Sequence, residues 1–122
     1  KSPVIVCEDA DLEAAIPGVA NAIFFNGGQV CIAGSRVYAH RKIFDRLVEG
    51  VAAHASGLTR GHGLDPATTL GPLVSAKHAG RVNAFPERAV ADGATPVGGL
   101  GEGSGAFVAP TVLTGVRPAM EI

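Results

Sequence analysis

The chain is organised around one stretch, Phe24-Phe25-Asn26-Gly27-Gly28-Gln29-Val30-Cys31-Ile32-Ala33-Gly34-Ser35-Arg36. An aromatic pair ends an apolar run of helical spacing. Two glycines follow, and glycine allows positive φ angles and close approach of another group. Beyond Cys31, residues 37–40 alternate with the period of a strand. The stretch therefore predicts a helix, a glycine turn that presents a cysteine, and a strand, in that order.

Cys31 has two interpretations. A cysteine in an apolar chain is most often a small buried hydrophobe without a chemical role. A cysteine held in a turn can instead stay open to solvent, where its thiolate can act as a nucleophile. The surrounding pattern favours the second interpretation. Phe-x-x-x-Gly-Gln-x-Cys-x-Ala is formed by Phe24, Gly28, Gln29, Cys31 and Ala33, and it resembles the active-site cysteine signature of the aldehyde dehydrogenase superfamily.

The resemblance extends over nearly the whole chain. Further segments match landmarks of the family, in the family's order: Lys1-Ser2-Pro3 with Val4-Ile5-Val6, Asp9-Ala10-Asp11-Leu12, Ser35-Arg36-Val37, Leu70-Gly71-Pro72-Leu73 and Pro110-Thr111-Val112-Leu113. The resemblance implies that residues 1–122 are a partial catalytic domain that carries the cysteine. It also implies that the dinucleotide-binding domain lies outside this chain, so we expect an internal piece of a longer enzyme.

The hydrophobic pattern predicts the order strand, helix, strand, helix, helix, strand, strand. Alternation of this kind predicts an α/β fold with a mostly parallel sheet and flanking helices, and the resemblance implies the same. The predicted strands cover residues 4–7, 37–40, 94–97 and 107–113, and the predicted helices run to about residue 26, from 43 to 55 and from 76 to 92.

Local signals add detail to these elements. Asp9 and Ser75 are expected to cap the first and third helices, since short oxygen-bearing side chains accept the free N–H groups of a helix start. Pro17 is expected to kink the first helix and Pro86 to interrupt the third, because proline removes a backbone donor. Cys7 is expected to pack inside the first strand and to have no chemical role.

Composition argues against several classes of function. A hydrophobic content of 47% favours a folded domain with a core, and the net charge of -1 leaves no basic excess to bind nucleic acid. No apolar run is long enough to span a bilayer and no signal peptide is visible, so we expect a cytoplasmic protein without a membrane partner. Two cysteines are too few for a disulfide framework or a metal site.

The resemblance assigns the chemistry to Cys31. Its thiolate would attack an aldehyde to form a thiohemiacetal, hydride would pass to NAD or NADP, and water would hydrolyse the resulting thioester to a carboxylic acid. The Cys31 N–H is a candidate donor to the oxyanion. The family's general-base glutamate and its oxyanion-binding asparagine are expected outside this chain. We expect Asn26 to stabilise the glycine turn instead.

The resemblance also suggests two cofactor-binding candidates on the third helix. His78 and Arg81 stand where many relatives carry a glutamine and a basic residue. His78 departs from that pattern, and a solvated helix histidine explains it equally well. Residues 98–105 are rich in glycine, but they lack the Lys-Ser/Thr pair and the following helix of a phosphate loop. We interpret them as a hairpin-like connection.

Two other functions stay open on the residues alone. One is a cysteine hydrolase or acyl transferase without nicotinamide, which would need a histidine against Cys31; His40 is the nearest in sequence. The other is a non-catalytic packing or oligomerisation module. For the aldehyde dehydrogenase, we expect a homo-oligomer acting on a small-molecule aldehyde. We expect these 122 residues alone to be inactive and to self-associate through uncovered apolar surface.

Overall fold

The computed structural model describes residues 2–100 and 103–122. Its elements follow the predicted order, and the predicted α/β fold with a parallel sheet and flanking helices is confirmed. The strands are β1 (Pro3–Val6), β2 (Arg36–Ala39), β3 (Thr95–Pro96) and β4 (Leu113–Thr114), and the helices are α1 (Leu12–Phe24), α2 (Phe44–Ser56) and α3 (Ala76–Ala91). A short 3₁₀ turn, Phe25–Gly28, follows α1 directly.

β1 and β2 form a parallel pair, in which Ile5 lies opposite Tyr38 and Val6 opposite Ala39. Parallel strands need a crossover connection, which α1 supplies. Val6 and Ala39 face the helices. Val6 belongs to the first core cluster, and Ala39 packs against it. That cluster joins β1, α1 and α2 through seven buried residues: Val6, Leu12, Val19, Ala20, Ile43, Leu47 and Val51.

The opposite face of this sheet is uncovered in the described chain. Side chains alternate along a strand, so Ile5 and Tyr38 point away from the helices, and they are 72% and 58% exposed. The same alternation explains Cys7, which follows Val6 and is exposed. The expectation that Cys7 packs inside the first strand is therefore wrong, because β1 ends at Val6 and nothing described covers its second face.

α3 belongs to a second core cluster. Ala89, Ala94 and Met120 form it, with Leu113 packed against them. β3 and β4 pair antiparallel beside it, and Pro96 lies opposite Leu113. The sequence predicts a mostly parallel sheet, whereas this second pair is antiparallel.

The last two strands are shorter than predicted. The strand predicted over residues 107–113 is reduced to Leu113–Thr114, and that over 94–97 to Thr95–Pro96. Pro110 cannot donate to a strand ladder, and the Thr111 hydroxyl donates to the Gly99 carbonyl at 2.7 Å. The hairpin-like connection predicted over residues 98–105 falls partly on residues 101–102, which lie outside the described residues.

The helix starts and prolines give one confirmation and two corrections. Ser75 caps α3 as predicted, accepting from the His78 N–H at 3.1 Å. Asp11 rather than Asp9 caps α1, since Asp11 Oδ1 accepts from the Glu13 N–H at 3.0 Å. α3 runs through Pro86 without the expected interruption. α1 continues through Pro17, and the kink expected there stays a prediction. Pro17 lies on the exposed side of α1.

Candidate active site

The turn before Cys31 consists of three successive residues in left-handed conformation. Asn26, Gly27 and Gly28 have φ angles of 50°, 63° and 73°. Only glycine adopts this region without steric cost, and asparagine tolerates it better than most residues. The space is also restricted, because a Cβ on Gly28 would lie 3.2 Å from the Ile23 carbonyl oxygen. These residues turn the chain sharply from the end of α1 into the segment that carries the cysteine.

Asn26 and Gln29 fasten this turn from both sides. The Asn26 carbonyl accepts from the Gln29 backbone N–H at 3.2 Å and from Gln29 Nε2 at 3.1 Å. Asn26 Nδ2 donates in return to the Gln29 carbonyl at 3.4 Å. Asn26 thus stabilises the turn, as the sequence predicted.

Cys31 lies in the next turn and is exposed. The Ala33 N–H donates to the Val30 carbonyl at 3.1 Å, which closes a tight turn around the cysteine. The exit is fixed by Gly34, whose N–H donates to the Ala22 carbonyl of α1 at 2.9 Å. A Cβ on Gly34 would lie 2.6 Å from Val4 Cγ2, so only glycine allows this close approach.

The backbone of residues 30–32 leaves its N–H donors available, and one of them belongs to Cys31. Within the described parts of the chain, the Cys31 N–H has no hydrogen-bond acceptor. An exposed thiol next to a free N–H is an arrangement that can attack a carbonyl carbon and hold the negative oxygen that results.

The start of α3 is joined to the cysteine turn. Gln29 Oε1 accepts from the Val74 N–H at 2.9 Å, across 45 residues of sequence. Alongside, a Cβ on Gly27 would lie 3.0 Å from Leu73 Cδ2, so the glycine turn packs closely on the same segment. Sequence reasoning assigned Gln29 no role beyond its place in the motif, and the only available signal was an amide that can donate and accept at once.

His78 and Arg81 lie in the first turns of α3, His78 half-buried and Arg81 exposed. Toward the described residues, neither side chain makes a hydrogen bond or an ion pair. Their imidazole and guanidinium groups are N–H donors, which suit the oxygen-rich groups of a dinucleotide.

His40 is separated from Cys31 by the length of β2. Its Nε2 lies 3.5 Å from Glu8 Oε2, and its Nδ1 accepts from the Lys42 N–H at 3.3 Å. The Lys42 ammonium pairs with the same Glu8 carboxylate. These groups meet at the carboxyl ends of β1 and β2, whereas Cys31 precedes the amino end of β2. The structure therefore does not bring His40 to the cysteine.

A groove beside β2 does not contain the cysteine. It has a volume of about 630 Å³ and runs between β2, α2 and residues 111–118. Among the described residues that line it there is no cysteine, histidine or carboxylate, and most are apolar. Elsewhere in residues 2–100 and 103–122, no cluster of His, Cys, Asp or Glu could hold a metal ion. None of the helices described is long and apolar enough to cross a membrane.

Known proteins resemble the whole chain. The sequence model of the aldehyde dehydrogenase family matches residues 1–122. A Schizosaccharomyces pombe protein named "Probable betaine aldehyde dehydrogenase" is 45% identical over 96% of this chain and 24% of its own length. The mitochondrial aldehyde dehydrogenase of Leishmania tarentolae is 42% identical over 100% of this chain and 25% of its own.

A solved structure agrees with the sequence comparisons. The NAD⁺ complex of an aldehyde dehydrogenase from Bacillus cereus superposes with a TM-score of 0.93 at 43% identity, covering 98% of this chain and 25% of its own. The chain thus spans about a quarter of the length of the relatives that it matches.

Proposed function

Since the chain belongs to the aldehyde dehydrogenase family, we propose that it supplies the nucleophile-bearing part of an enzyme that oxidises an aldehyde to a carboxylic acid with NAD or NADP. One observation carries the proposal. Cys31, within the cysteine motif, is exposed on a segment that is fixed at entry and exit. The family and fold support aldehyde oxidation, and the role of this cysteine is our inference.

The chemistry follows from the reactivity of sulfur. The Cys31 thiolate forms an S–C bond with the aldehyde carbon, and the carbonyl electrons move to the oxygen, where the Cys31 N–H can donate to it. The thiohemiacetal on Cys31 then loses a hydride and becomes a thioester. Bound NAD or NADP supplies the acceptor for that hydride. Water cleaves the C–S bond, which frees Cys31 and releases the carboxylic acid.

Cofactor contacts within this chain are proposed for His78 and Arg81. Their side chains have donors that no described residue uses, on the helix whose entry is bonded to the cysteine turn. Both NAD and NADP remain compatible with these two donors. We further propose that the full-length protein is a homo-oligomer in the cytoplasm.

The alternatives receive less support. A cysteine hydrolase would need a histidine against Cys31, and His40 is engaged with Glu8 at the other end of β2. A purely non-catalytic module would have no need for an exposed cysteine beside a free N–H. Aldehyde oxidation is therefore the function that this site supports best.

The two cysteines provide a matched test, because both are exposed. In the full-length protein, Cys31→Ser should reduce NADH or NADPH production from a panel of aldehydes by at least about 10³-fold. Cys7→Ser should leave it within about twofold, since Cys7 lies at the other end of the β1–α1–β2 unit. Cofactor affinity, measured by titration, should change little in either variant.

The same assay includes the 122-residue chain alone, which we expect to be inactive because it covers about a quarter of its relatives. Turnover near wild type in Cys31→Ser would rule out a covalent role for Cys31. Equal losses in both serine variants would mean that the loss is not specific to Cys31.

A further inference from the structure

We propose that Gln29 is a positioning residue, whose side chain fastens the turn that presents Cys31 to the segment that enters α3. It thereby fixes the place of the Cys31 thiol relative to that helix. The inference rests on the proposed function of Cys31 as the nucleophile and adds a residue that acts through it.

The side-chain amide of Gln29 is used at both ends. Nε2 donates to the Asn26 carbonyl at 3.1 Å, inside the glycine turn. Oε1 accepts from the Val74 N–H at 2.9 Å, immediately before the cap residue Ser75. One planar group therefore holds a turn and a distant segment at a fixed separation, and both distances are those of good hydrogen bonds.

This bridge connects two parts of the molecule with separate cores. The cysteine segment is anchored on α1 through the bond from Gly34 to the Ala22 carbonyl, and α1 belongs to the first core cluster. α3 contributes Ala89 to the second core cluster, which shares no residue with the first. The Gln29 side chain joins the cysteine segment to the segment that enters α3. Because this link lies two residues from Cys31, it determines where the thiol lies relative to α3.

The chemistry of the bridge requires an amide. It needs a donor toward Asn26 and an acceptor toward Val74, and a glutamine side chain provides both. A glutamate of equal length keeps the acceptor and loses the donor. A methionine has similar length and packing but forms neither bond. These two substitutions separate the hydrogen bonds from the volume of the side chain.

A loosened bridge should affect turnover more than substrate binding. Displacement of a reacting group by about 1 Å can cost on the order of 10²-fold in rate. Iodoacetamide, in contrast, needs only an accessible thiol. In the full-length protein, Gln29→Met should therefore lower kcat by about 10- to 100-fold. The KM for aldehyde and the rate of Cys31 alkylation should each change by less than about threefold, because aldehyde contacts and thiol exposure are retained.

Two further variants complete the test. Gln29→Glu should keep more of kcat than Gln29→Met, because its carboxylate can still accept from the Val74 N–H. Thr111→Val is the matched control, since it removes another side-chain bond between distant loops, from Thr111 to the Gly99 carbonyl. It should leave kcat within about twofold. Should Gln29→Met fail to fold, Gln29→Asn, which is too short to reach both partners, is judged by the same criteria.

The outcomes are distinct. A kcat near wild type in Gln29→Met, an equal loss in Thr111→Val, or a lower kcat in Gln29→Glu than in Gln29→Met would each overturn the positioning role. Loss of turnover in Cys31→Ser, measured in parallel, would then leave the proposed function standing. If Cys31→Ser retains turnover, the proposed function falls first, whatever Gln29 does.

Discussion

Gly28 is a residue of the cysteine turn at which both the backbone conformation and the space exclude a side chain. Its φ of 73° and the 3.2 Å distance from an added Cβ to the Ile23 carbonyl oxygen both oppose a side chain. Gly63 offers the opposite case, because nothing lies within 4 Å of its Cβ position and its φ is not left-handed. The backbone conformation therefore requires glycine at position 28, whereas position 63 can accept a side chain.

We expect Gly28→Ala to destabilise the protein by about 1–2 kcal/mol, the cost of placing an L-residue in the left-handed region. Gly63→Ala should change stability by less than about 0.5 kcal/mol. Urea unfolding of the full-length variants, followed by circular dichroism, measures both. Equal midpoints for the two variants would show that the turn has a different conformation in solution.

At the scale of the helices, two aspartates compete for the start of α1. Both Asp9 and Asp11 are suitable caps, and the sequence pattern alone favoured the first. The start depends on packing: Leu12 is buried in the first core cluster and begins the helical stripe, so the residue just before it, Asp11, becomes the cap. The third helix had one candidate, Ser75, and there the prediction was right.

The aspartates supply a second matched pair. Asp11→Ala removes the acceptor for the Glu13 N–H and should lower the free energy of unfolding by about 1 kcal/mol. Asp9→Ala removes no capping bond and should have an effect below about 0.5 kcal/mol. The same urea titration distinguishes them, and a larger loss for Asp9→Ala would contradict the assignment of the cap.

At the scale of the whole molecule, the sequence predicts the features that depend on neighbouring residues, such as the type and order of the strands and helices. Hydrophobic periodicity reports which face of a segment is buried, and the order of strands and helices followed from it. The bond from Gln29 to Val74 joins residues 45 positions apart, and no local pattern specifies which segments meet. The exposure of Cys7 was missed for the same reason, since it depends on what covers the second face of the sheet.

That second face should drive self-association of the chain when it is produced alone. Parallel sheets are normally covered on both faces, yet Ile5 and Tyr38 lie opposite each other on a face that no described residue covers. The 122-residue chain produced alone should therefore self-associate, with a mass by light scattering that rises with concentration. Ile5→Lys should shift it toward monomer, because it places a charge at the centre of the patch. Leu64→Lys is the control: Leu64 is 88% exposed, but it belongs to a turn outside the strands. A monomer at every concentration, or an equal effect of the two lysines, would show that this face does not drive association.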